Sequence, residues 1–159
     1  MHKRAILDEI VAALATELET LASAARDARQ AATDDESRAE DKHDTRAIEA
    51  SYLADGQERA ALEAQEALTA YRTLAVRSFA PGEPIALTAL VTLDEGAASE
   101  FYFIGPSRGG LAVKLGDREV LVITPQSPIG RKLLGRVTGD VITLENGRPR
   151  RDVRITQVE

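Results

Sequence analysis

The side chains with the clearest capacity for chemistry in this sequence are carboxylates. The 159 residues include two His and no Cys, which excludes a disulfide framework and a thiolate nucleophile and leaves too few donors for an all-protein zinc site. Any metal chemistry must therefore come from carboxylates. The densest group consists of Asp34, Asp35, Glu36, Glu40, Asp41 and Asp44. On composition alone, such a cluster is typical of a solvated loop whose acids favour the start of the next helix.

The net charge of −6 is carried entirely by the first half of the chain. Residues 1–80 contain 10 Lys and Arg against 16 Asp and Glu, whereas residues 81–159 contain 10 of each. We therefore expect no binding to duplex DNA over a broad surface, since such binding requires neutralisation of phosphates by cations. The longest apolar stretch, residues 85–93, is far shorter than the roughly 20 residues of a membrane span. Because acids also interrupt residues 1–20, where a signal peptide needs an apolar core, we expect a soluble, cytoplasmic protein of bacterial type.

Residues 1–78 have the composition of helices. They contain no Pro and a single Gly, Gly56, and they are dominated by Ala, Leu, Glu, Arg and Gln. One apolar stripe with helical spacing runs to about residue 32, and the polar segment 33–37 that follows it predicts a reversal of the chain. Narrow, Ala-rich stripes favour close pairing of two helices, which predicts an antiparallel coiled-coil hairpin over residues 1–78 with an acidic tip near residues 33–44. The second stripe comprises Ile48, Tyr52, Leu53, Ala60, Ala64, Ala67, Tyr71 and Leu74.

Residues 79–159 show a different pattern, in which short runs of β-branched and aromatic residues alternate with Gly and Pro. One short helix is predicted within this region, because Ser127 is a typical N-cap, Pro128 suits the first helical position, and Gly135 follows the last one. An antiparallel sheet crossed by one short helix, placed after the hairpin, gives an α+β protein. Turns are predicted at Gly116-Asp117 and Asn146-Gly147. The predicted strands are residues 85–93, 101–104, 111–115, 119–123, 141–144 and 153–158.

The segment Thr-Pro-Gln-Ser-Pro-Ile-Gly-Arg-Lys-Leu-Leu-Gly at residues 124–135, followed by Gly139-Asp140, resembles the C-terminal signature of the bacterial Gre transcription factors, GreA and GreB. That signature runs Ser-Pro-Leu-Gly-Arg-Ala-Leu-Leu-Gly, with Gly-Asp a few residues later. The resemblance implies an FKBP-like domain over residues 79–159 without prolyl isomerase function. It also implies a polymerase-docking motif composed of Ser127, Pro128, Gly130, Arg131, Leu134 and Gly135.

The resemblance further implies a function. Gre factors are monomers that bind the RNA polymerase core, insert the hairpin through its secondary channel, and stimulate cleavage of backtracked RNA without being enzymes themselves. Their tip acids help to hold a second Mg²⁺ jointly with the polymerase, close to the nascent RNA 3′ end, and an Mg²⁺ ion usually needs only one or two protein carboxylates. Asp41 and Asp44 match the three-residue spacing of the family's functional Asp and Glu. At the start of a helix these two side chains share a face.

The tip of this chain departs from the family pattern in ways that leave an alternative open. Glu40 replaces a Gly, Asp44 is shorter than the usual Glu, and Lys42-His43 replace Leu-Ser. The alternative is a Gre-like secondary-channel regulator that inhibits the polymerase without promoting cleavage. Glu36 and Glu40 are substitutes for the functional pair if the tip is displaced. A third hypothesis is that the chain is an adaptor that uses the sheet domain to bind a different partner.

Three cations of the first helix form a further candidate site. Arg26, Arg29 and Arg38 lie at spacings that favour a cationic strip in contact with the RNA 3′ segment, as in some Gre factors. The competing interpretation is ordinary ion pairing with Asp27 and other carboxylates of the same helix.

Overall fold

The computed structural model describes residues 3–38, 45–145 and 149–159, without the side chains of residues 35–38. Within these ranges no helix is long and apolar enough to cross a membrane. The chain forms two compact units, one of Val11–Arg72 and one of the residues up to Ile10 together with Thr73–Glu159. The elements are α1 (Lys3–Arg38), α2 (Thr45–Arg72), β1 (Leu90–Glu95), β2 (Ala98–Ile104), β3 (Ala112–Leu115), β4 (Arg118–Ile123), α3 (Pro128–Leu133), β5 (Val141–Leu144) and β6 (Arg151–Val158).

Two long helices followed by a six-stranded sheet and one short helix confirm the predicted α+β class. The structure assigns the first residues of α1 to the unit that contains the sheet. The boundary between residues 78 and 79 stays a prediction.

Alanines are the majority of the buried side chains in the helical unit, beside the larger Leu14, Leu68 and Tyr71. Ala54 and Ala64 are fully buried, and Ala32 is nearly so. Arg29 lies two to three turns before the end of α1 and bonds to Asp55, which lies about as far from the start of α2, so the two helices run antiparallel. Alanines on the inward face let the two backbones approach closely, as in a narrow coiled-coil seam.

The predicted reversal at residues 33–37 is wrong in position, because α1 continues through this segment to Arg38. The Thr33 hydroxyl donates to the carbonyl oxygen of Arg29 at 3.0 Å, and the Asp34 carboxylate accepts from the Gln30 amide at 3.0 Å. Both side chains thus find their partners within the helix, so their types alone do not end it here. The residues between the helices, 39–44, lie outside the described part of the chain.

The second apolar stripe is wrong over its first half. Ile48, Tyr52 and Leu53 are 46%, 73% and 59% exposed, whereas Ala54 is fully buried. Ile48 and Tyr52 lie two heptads before the exposed Leu62 and Glu66, so they share an outer face of α2. Leu53 lies two heptads before the buried Ala67 and is exposed all the same.

The sheet has the strand order β3-β4-β2-β1-β6-β5 and is mixed. All neighbouring strands are antiparallel except β2 and β4. The prediction of a purely antiparallel sheet is wrong at this pair. β3 and β4 form an antiparallel hairpin, and its second strand, β4, is the one that pairs with β2, in the same direction. The predicted strand over residues 85–93 begins only at Leu90, since Thr88 takes a left-handed conformation (φ 71°) in a turn.

The other predicted strands agree with the structure to within a few residues, and Gly116-Asp117 joins β3 to β4. Asn146-Gly147 lies outside the described residues. The core of this unit includes Val91, Leu93, Ile104, Leu133, Leu144 and Ile155, all buried.

Adjacent alanines of α1 provide a test of the close helix packing. Ala32→Leu places a larger side chain at a position that is 1% exposed, and we expect it to lower the free energy of unfolding by about 1–3 kcal/mol through overpacking. Ala31→Leu makes the same change at an exposed neighbour and should change stability by no more than about 0.5 kcal/mol. Urea denaturation followed by circular dichroism at the helix band measures both. Equal effects of the two substitutions would contradict close packing at Ala32.

Candidate functional site

The signature segment forms the N-terminal cap of α3. Ser127 has an extended backbone (φ −64°, ψ 155°), and its hydroxyl accepts a hydrogen bond from the backbone N–H of Gly130 at 3.0 Å. The same hydroxyl donates to the carbonyl oxygen of Thr124 at 2.8 Å. Pro128 occupies the first turn, where its missing N–H leaves no hydrogen bond unmade. The predicted helix start is therefore confirmed, and one serine joins α3 to the end of β4.

Gly130 is required by space. A Cβ atom at this position would lie 1.9 Å from the carbonyl oxygen of Thr124 and 2.9 Å from the Ser127 hydroxyl oxygen. No real Cβ contact is as short as the first of these distances, so any other residue must displace the helix or the loop before it. The glycine of the signature is thus a packing requirement of the turn that holds α3 on the sheet.

The other end of α3 is anchored to the core. Leu133 is fully buried, and Leu134 packs against the same core from a half-buried position. Gly135 adopts a left-handed conformation (φ 76°) that suits glycine, and its N–H donates to the carbonyl oxygen of Ile85 at 2.9 Å. The Ile85 N–H in turn donates to the carbonyl oxygen of Arg136 at 2.8 Å.

The six residues of the predicted docking motif therefore divide into two groups. Four of them build and hold the helix, namely Ser127, Gly130, Leu134 and Gly135. Pro128 and Arg131 are exposed and are available to a partner.

An apolar groove of about 470 Å³ opens beside Pro128 and Ile129. Its lining includes Arg151, whose side chain is 15% exposed and donates through Nη2 to both carboxylate oxygens of Glu100 at 2.8 Å. Arg151 also bonds to Glu95 at 2.6 Å, and the Tyr102 hydroxyl donates to Glu100 at 2.7 Å. Hydrogen bonds to Glu95 and Glu100 raise the pKa of Arg151. This network gives the groove a fixed polar rim beside the apolar surface of the α3 N-terminus.

The predicted cationic strip of α1 divides in the structure. Arg29 donates through Nε to Glu58 at 2.7 Å and through Nη2 to Asp55 at 2.8 Å, both on α2. These hydrogen bonds raise the pKa of Arg29 and lower that of Glu58. Arg26 is exposed, and the side chain of Arg38 lies outside the described part. The contact of these arginines with RNA stays a prediction.

The ion pairs of Arg29 are not formed with carboxylates of its own helix. They join α1 to α2. Sequence reasoning missed them because the partner carboxylates lie far along the chain, and only the alignment of the helices brings them together.

The predicted catalytic and metal-binding pair, Asp41 and Asp44, lies outside the described residues, as do Glu40 and His43; the side chain of Glu36 is likewise not described. Within residues 3–34, 45–145 and 149–159, no three His, Cys, Asp or Glu side chains are grouped so that they could hold a metal ion. The Mg²⁺ site therefore stays a prediction that rests on the resemblance of the tip.

No protein-family model matches the chain, and no curated protein matches it. Solved structures with a similar arrangement include the transcription factor Gfh1, at 20% identity and a TM-score of 0.42, covering 93% of this chain and 92% of that chain. The GreA factor homolog 1 (Gfh1) protein of Thermus thermophilus is 17% identical with a TM-score of 0.39, covering 94% of each chain.

A third structure is the prokaryotic transcription elongation factor GreA/GreB from Nitrosomonas europaea. It is 20% identical with a TM-score of 0.38, and the match covers 60% of this chain and 78% of that chain. These structural neighbours bear the names of the family that the signature resembles. Likeness at this level carries no conclusion about function.

Two glycines provide opposite tests of the space available to a side chain, since Gly130 in α3 has no room for a Cβ atom and Gly56 in α2 has. Gly130→Ala forces a Cβ atom against the Thr124 carbonyl group, and we expect a loss of about 1–3 kcal/mol in the free energy of unfolding. Gly56→Ala, in the interior of α2 with no atom within 4 Å of the added Cβ, should stabilise the chain by about 0.5–1 kcal/mol through helix propensity. Thermal and urea denaturation measure both. A Gly130→Ala variant as stable as the wild type would contradict the steric account.

The cross-helix ion pair predicts a pH dependence of stability. Hydrogen bonding to Arg29 lowers the pKa of Glu58 below its ordinary value of 4.5, so the pair stabilises the fold above that value and loses its contribution as the pH falls through the lower, folded-state pKa. Glu58→Gln should therefore be less stable than the wild type near neutral pH, and the difference should shrink below pH 4.5.

Urea titrations of both proteins between about pH 3 and about pH 7 measure this difference. Glu66→Gln, at an exposed position of the same helix, is the control for loss of one carboxylate and should stay within about 0.5 kcal/mol of the wild type at neutral pH. A difference for Glu58→Gln that does not change with pH contradicts the assignment.

Proposed function

We propose that this chain is a Gre-like transcription factor that binds the bacterial RNA polymerase core and enters its secondary channel with the paired helices. The observation that carries the proposal is the signature segment, which resembles the Gre signature over residues 124–135. Its serine, proline and glycines each have a structural duty in capping α3 and seating it on the sheet. A chance match of residue types would not explain why Ser127 caps α3, why Gly130 has no room for a Cβ atom and why Gly135 is left-handed.

Docking on the polymerase is the role we assign to the sheet unit. Pro128 is exposed at the start of a helix that is anchored at both ends, and the apolar groove beside it is bordered by the Arg151 and Glu100 ion pair. A rigid, partly apolar surface with a fixed polar rim is suited to a protein partner, since little conformational freedom is lost on binding.

Stimulation of RNA cleavage is the activity we assign to the tip. Asp41 and Asp44 are the residues that would hold Mg²⁺ together with the polymerase, near the nascent RNA 3′ end. Their carboxylate oxygens are the hard ligands that this ion prefers. When bound there, the ion would supply Lewis-acid stabilisation of the charge that develops on the RNA phosphate. The chain would act as an accessory factor to the polymerase rather than as an enzyme.

The second candidate is a secondary-channel regulator that inhibits the polymerase without cleavage. Lys42 places a cation beside Asp41, and Asp44 is one methylene shorter than the Glu of the family pattern. Both changes weaken retention of a divalent cation, by charge repulsion and by shorter reach. This candidate shares the docking mode of the first and differs from it only in what the tip does.

Transcript cleavage in backtracked elongation complexes of the cognate polymerase separates the two candidates. We expect the wild-type factor to shorten the RNA in an Mg²⁺-dependent reaction, and Asp41→Asn/Asp44→Asn to reduce the rate to that of the polymerase alone at equal occupancy. Glu49→Gln, an exposed carboxylate of α2 outside the predicted pair, should cleave as the wild type does.

The remaining outcomes have distinct meanings. Polymerase that is bound and slowed without cleavage would assign the chain to the inhibitors. Failure of the chain to bind purified core polymerase would contradict the proposal as a whole and favour an adaptor with another partner.

A further inference from the structure

A second groove, of about 760 Å³, lies between α3 and the edge strand β5. Three cations line it, Arg131, Lys132 and Arg136, all exposed. The groove is therefore a local cationic surface on a chain whose net charge is −6.

Within the part of the chain that the structure describes, ion pairs neutralise only part of this positive charge. Arg131 forms no ion pair within the ranges that the structure describes. The Lys132 ammonium donates to the backbone carbonyl oxygen of Thr143 at 2.6 Å, which leaves its charge uncompensated by a carboxylate. The carboxylate that lines the groove is Asp140, which lies 4.0 Å from Arg136 and also accepts from the backbone N–H of Val137 at 3.2 Å. Three cations against one carboxylate favour an anionic occupant.

Most of the surface that lines the groove is polar, and two apolar side chains lie among the lining residues. Val141 is 49% exposed, and Leu134 is half-buried. Gly135 adds no side chain to this surface. An occupant that matches it is mainly acidic and carries one apolar side chain that contacts Val141 and Leu134.

A protein segment fits this surface better than a nucleic acid does. Among the described residues, those that line the groove include no aromatic side chain on which a base could stack, and stacking supplies much of the affinity for single strands. Residues 81–159, which contain the groove, carry 10 Lys and Arg against 10 Asp and Glu, so this half lacks the broad excess of cations that an extended polyanion requires. A short acidic segment can pair with the three cations of the groove without contacting the rest of the surface.

We infer that this groove binds an acidic segment of the polymerase core that carries an apolar residue, which seats on Val141 and Leu134 while its carboxylates pair with Arg131 and Arg136. This inference rests on the proposed function and adds to it the chemistry of the partner surface. Rim charges of this kind govern association rate and salt dependence, so binding should weaken as ionic strength rises.

Affinity for purified core polymerase, measured at several salt concentrations with the full-length chain, tests the role of the cations. Arg131→Glu should weaken binding by roughly three- to tenfold at low salt and reduce its salt dependence, and Arg131→Gln should show a smaller effect. Lys114→Glu makes the same change of charge at an exposed residue of β3, on the opposite edge of the sheet, and should bind as the wild type does. Melting curves of each variant check that it is folded.

A photo-crosslinking residue in place of Val141, with mass spectrometry of the products, tests the occupant. A crosslink to a polymerase segment rich in Asp and Glu supports the inference. A crosslink to RNA, DNA or a basic segment overturns it, as does the absence of a crosslink in a complex that forms. If the wild type and Arg131→Glu bind the polymerase equally well, the inference is overturned but the proposed function is not. If the wild type does not bind the polymerase, both fail.

Discussion

The close approach of Gly130 to the carbonyl oxygen of Thr124 is the contact on which the rest of the sheet unit depends. It brings the first turn of α3 so near to the end of β4 that a Cβ atom cannot fit, and it lets the Ser127 hydroxyl bond to both sides of the turn. Because the helix is only six residues long, its propensity alone would not hold it in water. Its position is set by this turn and by the buried side chain of Leu133. Both grooves follow from that position, the apolar one beside Pro128 and the cationic one beside Arg131.

A different constraint governs the helical unit. Alanines at the interface allow the two helices to approach closely, and they leave little apolar area to bury, so the pair gains part of its specificity from polar contacts. Arg29 supplies this specificity, because its guanidinium group bonds to Glu58 and Asp55 on the other helix and fixes which residues face each other. At side-chain exposures of 43–55% these ion pairs determine alignment more than stability. Ile48 and Tyr52, near the start of α2, are exposed and not buried between the helices.

Local signals predicted much of this structure, and features that depend on distant residues escaped prediction. Ser127, Pro128 and Gly135 mark the bounds of α3 through caps that act within a few residues, and Gly116 marks a turn in the same way. The steric reason for Gly130 could not be seen, since it depends on how the loop before α3 folds back. Thr33 favours a cap or a turn by type, yet in the structure it bonds to its own helix. Topology determines the parallel pairing of β2 with β4 and the ion pairs between α1 and α2. The periodicity of apolar residues in the sequence does not predict topology. The predicted tip pair, Asp41 and Asp44, rests on resemblance alone.

In the proposed function, docking through the sheet unit brings the tip of the paired helices to the catalytic centre of RNA polymerase. Because the chain contains no Cys, a single Lys42→Cys substitution gives a unique position for a tethered iron chelate that generates hydroxyl radicals close to itself. We expect cleavage of the nascent RNA near its 3′ end and of the polymerase segments around the catalytic Mg²⁺, with no such cleavage when the chelate is carried by Lys114→Cys. Cleavage confined to the outer surface of the polymerase, in a complex that forms with the affinity of the unlabelled protein, would contradict this placement of the tip.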